Sequence, residues 1–493
     1  MKNQHFNKEK VISSLFWKLM ERCGTQGIQL IVQIILARLL MPEEYGLIAI
    51  VMVFISLANI FIQSGFSTAL VQKKDTDEVD FSSIFYINLL ISVLLYIIIF
   101  ISAPYIASFY FTPQLTVIFR VLPVILIFGA FNSVQYAFVA RNMLFRRLFI
   151  SSLVAIITSG ILGIAAAYIG LGVWALVIQQ ISNQLIITIV LWFSIKWRPR
   201  LLFSYKRVKV LFTYGSKLLI SALIDTIYTD LCTLLIGRLY NSSMVGFYNK
   251  GKQLPQLLVD SINVPILSVL LPTLSVHQDD KEKVKEMMRR AVMTTSFILF
   301  PMMIGLAAVA EPLVRIILTE KWLPAVPFIQ IFCFQYALRP IHTANLQAIK
   351  AIGRSDIYLK LEIIKKVIGL TILIVSLNYN IYAIAFGVAL SSIISTFINA
   401  YPNKVLLNYS NKDQLHDIIP PFLIAILMGG IVYAIKILHL NVWSMIVIQV
   451  IGGILIYFGL SKIFKIENYT YIVSTIKQLF TTKKESIVKS FIS

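Results

Sequence analysis

The fold is decided by the stretch Phe81–Phe119, which reads FSSIFYINLLISVLLYIIIFISAPYIASFYFTPQLTVIF. None of its residues is Asp, Glu, Lys or Arg. A helix of about 20 apolar residues spans a bilayer with all its backbone polar groups satisfied internally. The stretch therefore predicts one membrane-spanning helix and the start of the next.

Similar apolar runs follow one another along the whole chain. Of the 493 residues, 58% are hydrophobic and only 14% are charged, whereas about a quarter of a soluble protein is charged. The pattern predicts an all-α polytopic membrane protein with about 14 transmembrane helices. The predicted spans are 12–39, 46–71, 83–104, 117–140, 149–169, 172–195, 211–239, 245–274, 287–310, 325–349, 357–377, 381–401, 418–438 and 442–461.

The net charge of +21 reflects membrane topology. With a cytoplasmic N-terminus, 32 of the 44 Lys and Arg residues fall in inner loops and tails. The positive-inside rule therefore places both termini in the cytoplasm, and we expect a bacterial inner-membrane location with no nucleic-acid partner. The basic start Met1–Lys10 is unlike a cleavable signal peptide.

Motifs of enzymes and cofactor sites are weak in this chain. Residues 246–253 fit GxxxxGK but end in Gln253, where a phosphate loop needs Ser or Thr. The five histidines lack metal-ligand spacing, and Cys23, Cys232 and Cys333 fall inside predicted spans as small hydrophobes. We therefore expect no metal, no cofactor and no catalytic residue.

The chain contains an internal repeat. Arg38 is followed eight residues later by Gly46, and Arg238 by Gly246, at an offset of 200. Asn132 and Gln135 correspond to His342 and Asn345 at an offset of 210. An even number of spans separates the copies, which predicts a parallel repeat of two six-helix lobes plus two extra helices. The predicted segments are an N-lobe (1–195), a cytoplasmic linker (196–210), a C-lobe (211–410), helices 13–14 (411–461) and an amphipathic cytoplasmic tail (462–493).

Polar side chains recur at helical spacing within four spans, the first, second, seventh and eighth, with a further cluster in the tenth. A charge at mid-bilayer is costly, so it normally faces a cavity or a partner. The arrangement predicts a cationic cavity, in which cations bind phosphates and amides bind sugars. The candidate cations are Lys18, Arg22, Lys217, Lys250, Lys252 and Arg339. The candidate sugar-binding or cavity-lining residues are Gln26, Gln29, Gln33, Asn59, Gln63, Gln253, Gln256, Asn263 and His342.

Three intramembrane carboxylates have two interpretations. Asp225, Asp230 and Asp260 are candidates for coupling transport to a proton or Na⁺, because burial raises carboxyl pKa values. Alternatively they form structural ion pairs, Asp225 with Lys217 and Asp260 with Lys252.

Four motifs resemble those of bacterial polysaccharide flippases of the multidrug/oligosaccharidyl-lipid/polysaccharide (MOP) exporter superfamily, in particular the colanic-acid-exporter branch. They are Ile35–Leu47, Gly65–Lys74, Ala103–Tyr110 and Gly246–Leu254. The resemblance implies a V-shaped pair of lobes that alternate between inward-open and outward-open states. It also implies a pyrophosphate site, with Lys18 and Arg22 on the corresponding helix, and a polyprenyl-tail groove at helices 13–14.

The resulting functional hypothesis is a flippase for an undecaprenyl-pyrophosphate-linked oligosaccharide in surface polysaccharide biosynthesis. Its expected partners are that lipid-linked substrate and membrane lipids, and the polysaccharide polymerase and chain-length machinery are candidates. Two alternatives are a cation-coupled multidrug exporter of the same superfamily and a membrane glycan polymerase or ligase. A net basic cavity disfavours cationic drugs.

Overall fold

A computed structural model describes residues 8–63, 70, 76–438, 440–471 and 474. Over these residues the chain is helical, without a β-strand. The helices are α1 (Lys8–Leu39), α2 (Pro42–Gln63), α3 (Glu78–Phe109), α4 (Gln114–Val121), α5 (Ile125–Asn142), α6 (Phe145–Tyr168), α7 (Val173–Ser194), α8 (Tyr205–Leu239), α9 (Ser242–Val276), α10 (Lys281–Ile317), α11 (Val326–Ala337), α12 (Arg339–Ala351), α13 (Ser355–Ser376), α14 (Ile381–Ala400), α15 (Asn403–Leu407), α16 (Asn411–Ala434) and α17 (Val442–Ile463).

These helices form fourteen long helical segments, which confirms the predicted all-α membrane fold. Helices α4 and α5 make up one segment, joined by a 3₁₀ turn at Leu122–Val124, and α11 and α12 make up another. Eleven segments among the described residues are long and apolar enough to cross a membrane. Large apolar side chains are exposed on them, such as Ile101 at 62% and Leu455 at 67%. This surface suits contact with lipid tails, so the protein is a multi-pass membrane protein.

The described residues pack as two compact units, 1–249 and 250–493. The boundary lies inside α9, whereas the predicted linker is 196–210. The lobe boundaries inferred from the repeat therefore remain a prediction.

In the first unit, small residues let helices approach closely, as is common in membranes. A Cβ on Gly160 of α6 would lie 2.6 Å from Cγ2 of Val32 on α1. A Cβ on Gly163 would lie 2.7 Å from Cβ of Gln179 on α7. Helices α1, α6 and α7 thus form one tightly packed layer.

The two glycines of the internal repeat make a reciprocal backbone contact. A Cβ on Gly46 would lie 1.6 Å from the carbonyl oxygen of Ser242, and a Cβ on Gly246 would lie 2.1 Å from that of Pro42. Ser242 is itself offset by 200 from Pro42. The first turns of α2 and α9 therefore cross at repeat-related positions, and glycine is required at both because no side chain fits between the backbones.

The segment before α8 is bound to the start of α3. The backbone N–H groups of Arg200 and Ser204 donate to Ser82 and Ser83 Oγ, both at 3.0 Å. Arg207 pairs with Asp77, and its Nη1 lies 3.6 Å from Oδ1 of the fully buried Asp80. The hydrogen bond from Arg207 holds the pKa of Asp77 below its ordinary value.

The second unit is organised around α10, which packs along α16 and α17. The guanidinium of Arg289 binds Asp417 through Nε and Nη2, at 2.8 and 2.7 Å. Asp417 also accepts a 2.6 Å hydrogen bond from Tyr409. Glu467, at the start of the predicted amphipathic tail, pairs with the same arginine at 3.0 Å. Most of that tail lies outside the described residues.

Buried amides connect α12 to α15 and α16 in this unit. Nδ2 of Asn345 donates to Gln414 Oε1 at 2.9 Å, and Nδ2 of Asn403 donates to Asn345 Oδ1 at 2.7 Å. All three side chains are at most 2% exposed. Such a network fixes the register between helices, because an unpaired amide in this interior would be costly.

Candidate functional site

The described amides of the polar stripe of α1 differ in exposure from the residues of α1 that pack against α6. Val32 and Gly24 face Gly160 and Phe149 of α6, whereas Gln29 is exposed. The other predicted amides on this stripe, Gln26 and Gln33, are half-buried. Gln29 is thus accessible to a ligand.

The predicted cations of α1 and α8 are only partly described. Lys18 is exposed, and its Nζ lies 4.7 Å from the centroid of the Phe145 ring. The side chains of Arg22 and Lys217, and those of Gln63 and Cys23, lie outside the described residues. Their predicted roles remain predictions.

The predicted polar residues of α2 and α8 occupy different environments. Asn59 is half-buried, with Oδ1 3.4 Å from the position that a Cβ on Gly129 would take. Asp230 accepts a 3.2 Å hydrogen bond from Ser56 Oγ of α2. Asp225 is exposed. Among the predicted coupling carboxylates of α8, Asp230 is therefore the one that a hydrogen bond ties to α2.

The predicted lysines of α9 lie in its N-terminal half. Lys250 is 5% exposed, with Nζ 5.9 Å from the centroid of the Trp322 ring. The neighbouring Gly251 packs against Phe328 of α11. Lys252 and Gln253 are half-buried. This environment places Lys250 in the packing between α9 and the 3₁₀ turn that precedes α11.

The second unit brings three predicted site residues together. Nη1 of Arg339 on α12 lies 3.1 Å from Oδ1 of Asp260 on α9. Oδ2 of Asp260 accepts a 3.4 Å hydrogen bond from Nε2 of Gln256, and Tyr336 donates to Oε1 of Gln256 at 3.1 Å. We call these four residues, Gln256, Asp260, Tyr336 and Arg339, the α9–α12 polar cluster. Asp260 thus pairs with Arg339, and not with the Lys252 considered from spacing.

Tyr336 is the member of this cluster that sequence reasoning missed. Its ring lies under the Arg339 guanidinium, 5.5 Å from Cζ to the ring centroid. It precedes Arg339 by three residues, so the helical spacing that selected Arg339 could have indicated it. A tyrosine in an apolar run reads first as an ordinary core residue, which conceals its polar end.

Two other predicted residues of this region are engaged in the interior. Asn263 is 3% exposed and accepts a 3.0 Å hydrogen bond from Thr343. His342 contacts α14 through hydroxyls and an amide, Ser392 at 3.3 Å, Thr396 at 3.0 Å and Asn399 at 3.1 Å. Both side chains already have partners within the second unit.

Asn132 and Gln135, predicted as counterparts of His342 and Asn345, are also fully buried. Nδ2 of Asn132 donates to Thr188 Oγ1 of α7 at 2.9 Å. The fourth long segment therefore contacts the sixth through a part-buried polar pair, as the tenth contacts the twelfth through His342.

No described group of three His, Cys, Asp or Glu side chains is arranged to hold a metal ion. The side chains of Cys232 and Cys333 are buried. What the described polar groups offer a ligand is therefore charge and hydrogen bonds.

Comparison with known proteins decides the family. The family described as "Polysaccharide biosynthesis protein" matches residues 35–327, more than half of the chain. The chain belongs to this family. The membership predicted from the four motifs is thereby confirmed.

Several proteins similar to this chain have names that refer to biosynthesis. The chain is 26% identical to "Teichuronic acid biosynthesis protein TuaB" of Bacillus subtilis over 77% of this chain and 79% of that protein. It is 23% identical to "Succinoglycan biosynthesis transport protein ExoT" of Rhizobium meliloti over 71% of each. It is also 23% identical to "Lipopolysaccharide biosynthesis protein WzxC" of Escherichia coli over 87% and 88%.

Solved structures of the same architecture support the fold of this family member. "Lipid II flippase MurJ, inward closed conformation" matches with a TM-score of 0.74 and 17% identity, over 91% of this chain and 98% of that one. A multidrug resistance MATE transporter of the MOP superfamily, in an inward-facing conformation, matches with a TM-score of 0.62 and 14% identity, over 79% and 96%. At these identities the likeness concerns the fold alone.

Proposed function

We propose that this protein is a flippase that moves an undecaprenyl-pyrophosphate-linked oligosaccharide from the inner to the outer leaflet of the cytoplasmic membrane. It works by alternating access, with both termini in the cytoplasm. The observation that carries the proposal is an arginine, Arg339, that pairs with Asp260 in a cluster with an amide and a tyrosine hydroxyl, in a member of a polysaccharide biosynthesis family. Relatives named for the transport or biosynthesis of surface glycans support it.

The chemistry of the substrate fits the polar groups. A pyrophosphate accepts paired hydrogen bonds from guanidinium groups, and sugars bind amides through their hydroxyls. Arg22 and Lys18 of the first unit hold the pyrophosphate in this proposal, and Arg339 of the second unit is a further candidate cation. The exposed Gln29 and the half-buried Gln26 and Gln256 contact the sugars.

The remaining parts of the proposal concern the lipid and the driving force. Helices α16 and α17 form the groove for the polyprenyl tail, since their exposed surface is apolar, as at Leu423 and Leu455. The protein binds and moves its substrate without changing its covalent bonds. Any driving ion acts at an acidic residue. The candidates are Asp225, Asp230 and Asp260, of which Asp230 links α8 to α2 through Ser56.

The experiment measures surface polysaccharide in cells that carry single variants. Arg22→Ala is expected to abolish the surface polysaccharide while the amount of membrane-inserted protein stays normal. Arg354→Ala is the matched control, because Arg354 pairs with the exposed Asp356 in an inner loop at 2.8 Å. Its export should equal that of the wild type.

Three outcomes would contradict the proposal or one of its parts. Unchanged export in Arg22→Ala would reject the role of that arginine. Normal polysaccharide together with increased drug susceptibility in a deletion strain would instead favour a multidrug exporter. Unpolymerised units on the outer side would favour a polymerase.

A further inference from the structure

The ion pair within the α9–α12 polar cluster is only partly removed from solvent. The side chain of Arg339 keeps 39% of its exposure and that of Asp260 keeps 25%. By contrast, Asp417 in the Arg289 pair keeps 4%. Arg339 and Asp260 therefore form an ion pair of the second unit that a solute could reach.

The geometry of the two pairs also differs. Arg289 donates through two different nitrogens to both oxygens of Asp417, at 2.7 to 3.0 Å. The contact between Arg339 and Asp260 joins Nη1 to Oδ1 at 3.1 Å. A guanidinium carries five N–H donors in a planar fork. The Asp260 contact leaves part of that fork able to meet a second anion.

Asp260 itself is held in place independently of Arg339. Its second oxygen accepts from Gln256, which in turn accepts from Tyr336. The Tyr336 ring also supports the guanidinium from below. Both charges therefore stay within reach of each other when the contact between them opens.

We propose that Asp260 is an internal competitor of the anionic headgroup for Arg339. The inference rests on the proposed function and adds a positioning residue to its pyrophosphate site. A pyrophosphate carries more charge than a carboxylate and accepts parallel hydrogen bonds from a guanidinium, so it displaces Asp260 when it binds. When the headgroup leaves, Asp260 pairs with Arg339 again.

The competition has a physical benefit for a transporter. An unpaired arginine at membrane depth is costly, so the empty protein is stabilised by its own counter-charge. The same counter-charge weakens headgroup binding, which prevents a strongly cationic site from retaining its substrate. Asp260 thus lowers the affinity of Arg339 for the headgroup and makes release of the headgroup faster.

The test measures binding of farnesyl pyrophosphate to the purified full-length protein in lipid nanodiscs. Asp260→Asn keeps the shape of the side chain and removes its charge. It is expected to bind the probe about fivefold more tightly than the wild type, which corresponds to the ~1 kcal/mol of a partly exposed pair. Polysaccharide export by the same variant should fall, because release becomes slower.

Three further variants separate this role from a structural one. Asp356→Asn removes an aspartate from the exposed pair with Arg354 and should bind the probe like the wild type. Asp260→Glu restores the charge and should return affinity and export towards wild-type values. Arg339→Gln should lose most of the probe binding.

The inference is overturned if Asp260→Asn binds the probe equally or more weakly than the wild type. Weaker binding with a lower melting temperature would identify Asp260 as a purely structural partner, and the flippase proposal would stand if Arg22→Ala still blocked export. If the wild type binds no pyrophosphate probe and Arg22→Ala exports normally, both the proposed headgroup site and the inference are rejected.

Discussion

The reciprocal glycine contact gives the sharpest test of the packing. Gly46→Ala would place a methyl group 1.6 Å from the Ser242 carbonyl oxygen. Carbon–oxygen contacts in proteins close to about 3.3 Å, so the two backbones must separate by roughly 1.7 Å. The obstacle is a backbone carbonyl in a helix, which cannot rotate away as a side chain does.

The expected cost follows from this displacement. Overpacking costs about 1–3 kcal/mol, and the upper end applies where backbone must move. Alanine returns up to ~1 kcal/mol of helix propensity relative to glycine. We therefore expect Gly46→Ala to lose about 2 kcal/mol of stability in the first unit, and Gly246→Ala to lose a similar amount.

The matched control is Gly452→Ala in α17, where a Cβ would meet nothing within 4 Å. This variant gains helix propensity without a clash and should be as stable as the wild type or slightly more so. Thermal unfolding in detergent, followed by size-exclusion chromatography, compares the melting temperatures. A cost of 2 kcal/mol lowers the midpoint by roughly 5 °C for a unit of this size.

The double variant Gly46→Ala/Gly246→Ala provides a second, independent test of the backbone contact. Once the backbones have separated for one alanine, the second methyl meets less resistance, so the combined loss should be smaller than the sum of the single losses. The reasoning is refuted if Gly46→Ala melts at or above the temperature of Gly452→Ala, or if the two losses add fully.

Three further variants test other contacts. Arg289→Ala leaves the buried Asp417 carboxylate without its cation and should cost about 3 kcal/mol. Arg354→Ala removes an exposed pair that water screens and should leave the melting temperature unchanged. Equal melting temperatures of the two variants would contradict this. Asn345→Ala deprives Gln414 and Asn403 of their partner and should cost about 1–3 kcal/mol, against no measurable loss for the exposed Gln29→Ala. Arg207→Gln removes the hydrogen bond that lowers the pKa of Asp77 in the folded state. The wild type should therefore be more stable than the variant at pH 7, because the Asp77 carboxylate is then ionised. This difference in stability should disappear as the pH falls below the ordinary aspartate pKa of 3.8. A wild-type advantage that persists unchanged in acid would show that Asp77 is not involved.

The positions of the helices followed from the sequence because hydrophobicity and length are local properties. Each predicted span overlaps a long helical segment, including the broken tenth segment. Pro340 lacks the N–H that would continue α11 into α12, so the break at Leu338 has a local cause, although the span 325–349 was predicted as one continuous helix. Helical spacing also identified Gln256, Asp260 and Arg339 as polar residues of interest.

The partners of those residues did not follow from the sequence. Spacing along one helix suggested Lys252 for Asp260, whereas the structure pairs Asp260 with Arg339, 79 positions further along the chain. His342 was expected to line a cavity, and it is bonded to three side chains of α14.

The sequence by itself determined that this chain spans a membrane, where its helices lie and which of their faces are polar. Only the tertiary structure decided which polar faces meet, at which glycines two helix backbones come into contact, and which charged side chains remain accessible to solvent. The physical reason is that a helical period fixes the direction of a side chain around its own axis. The neighbour in that direction is chosen by the packing of the whole unit, where Gly46 lies against Ser242 and Arg339 against Asp260.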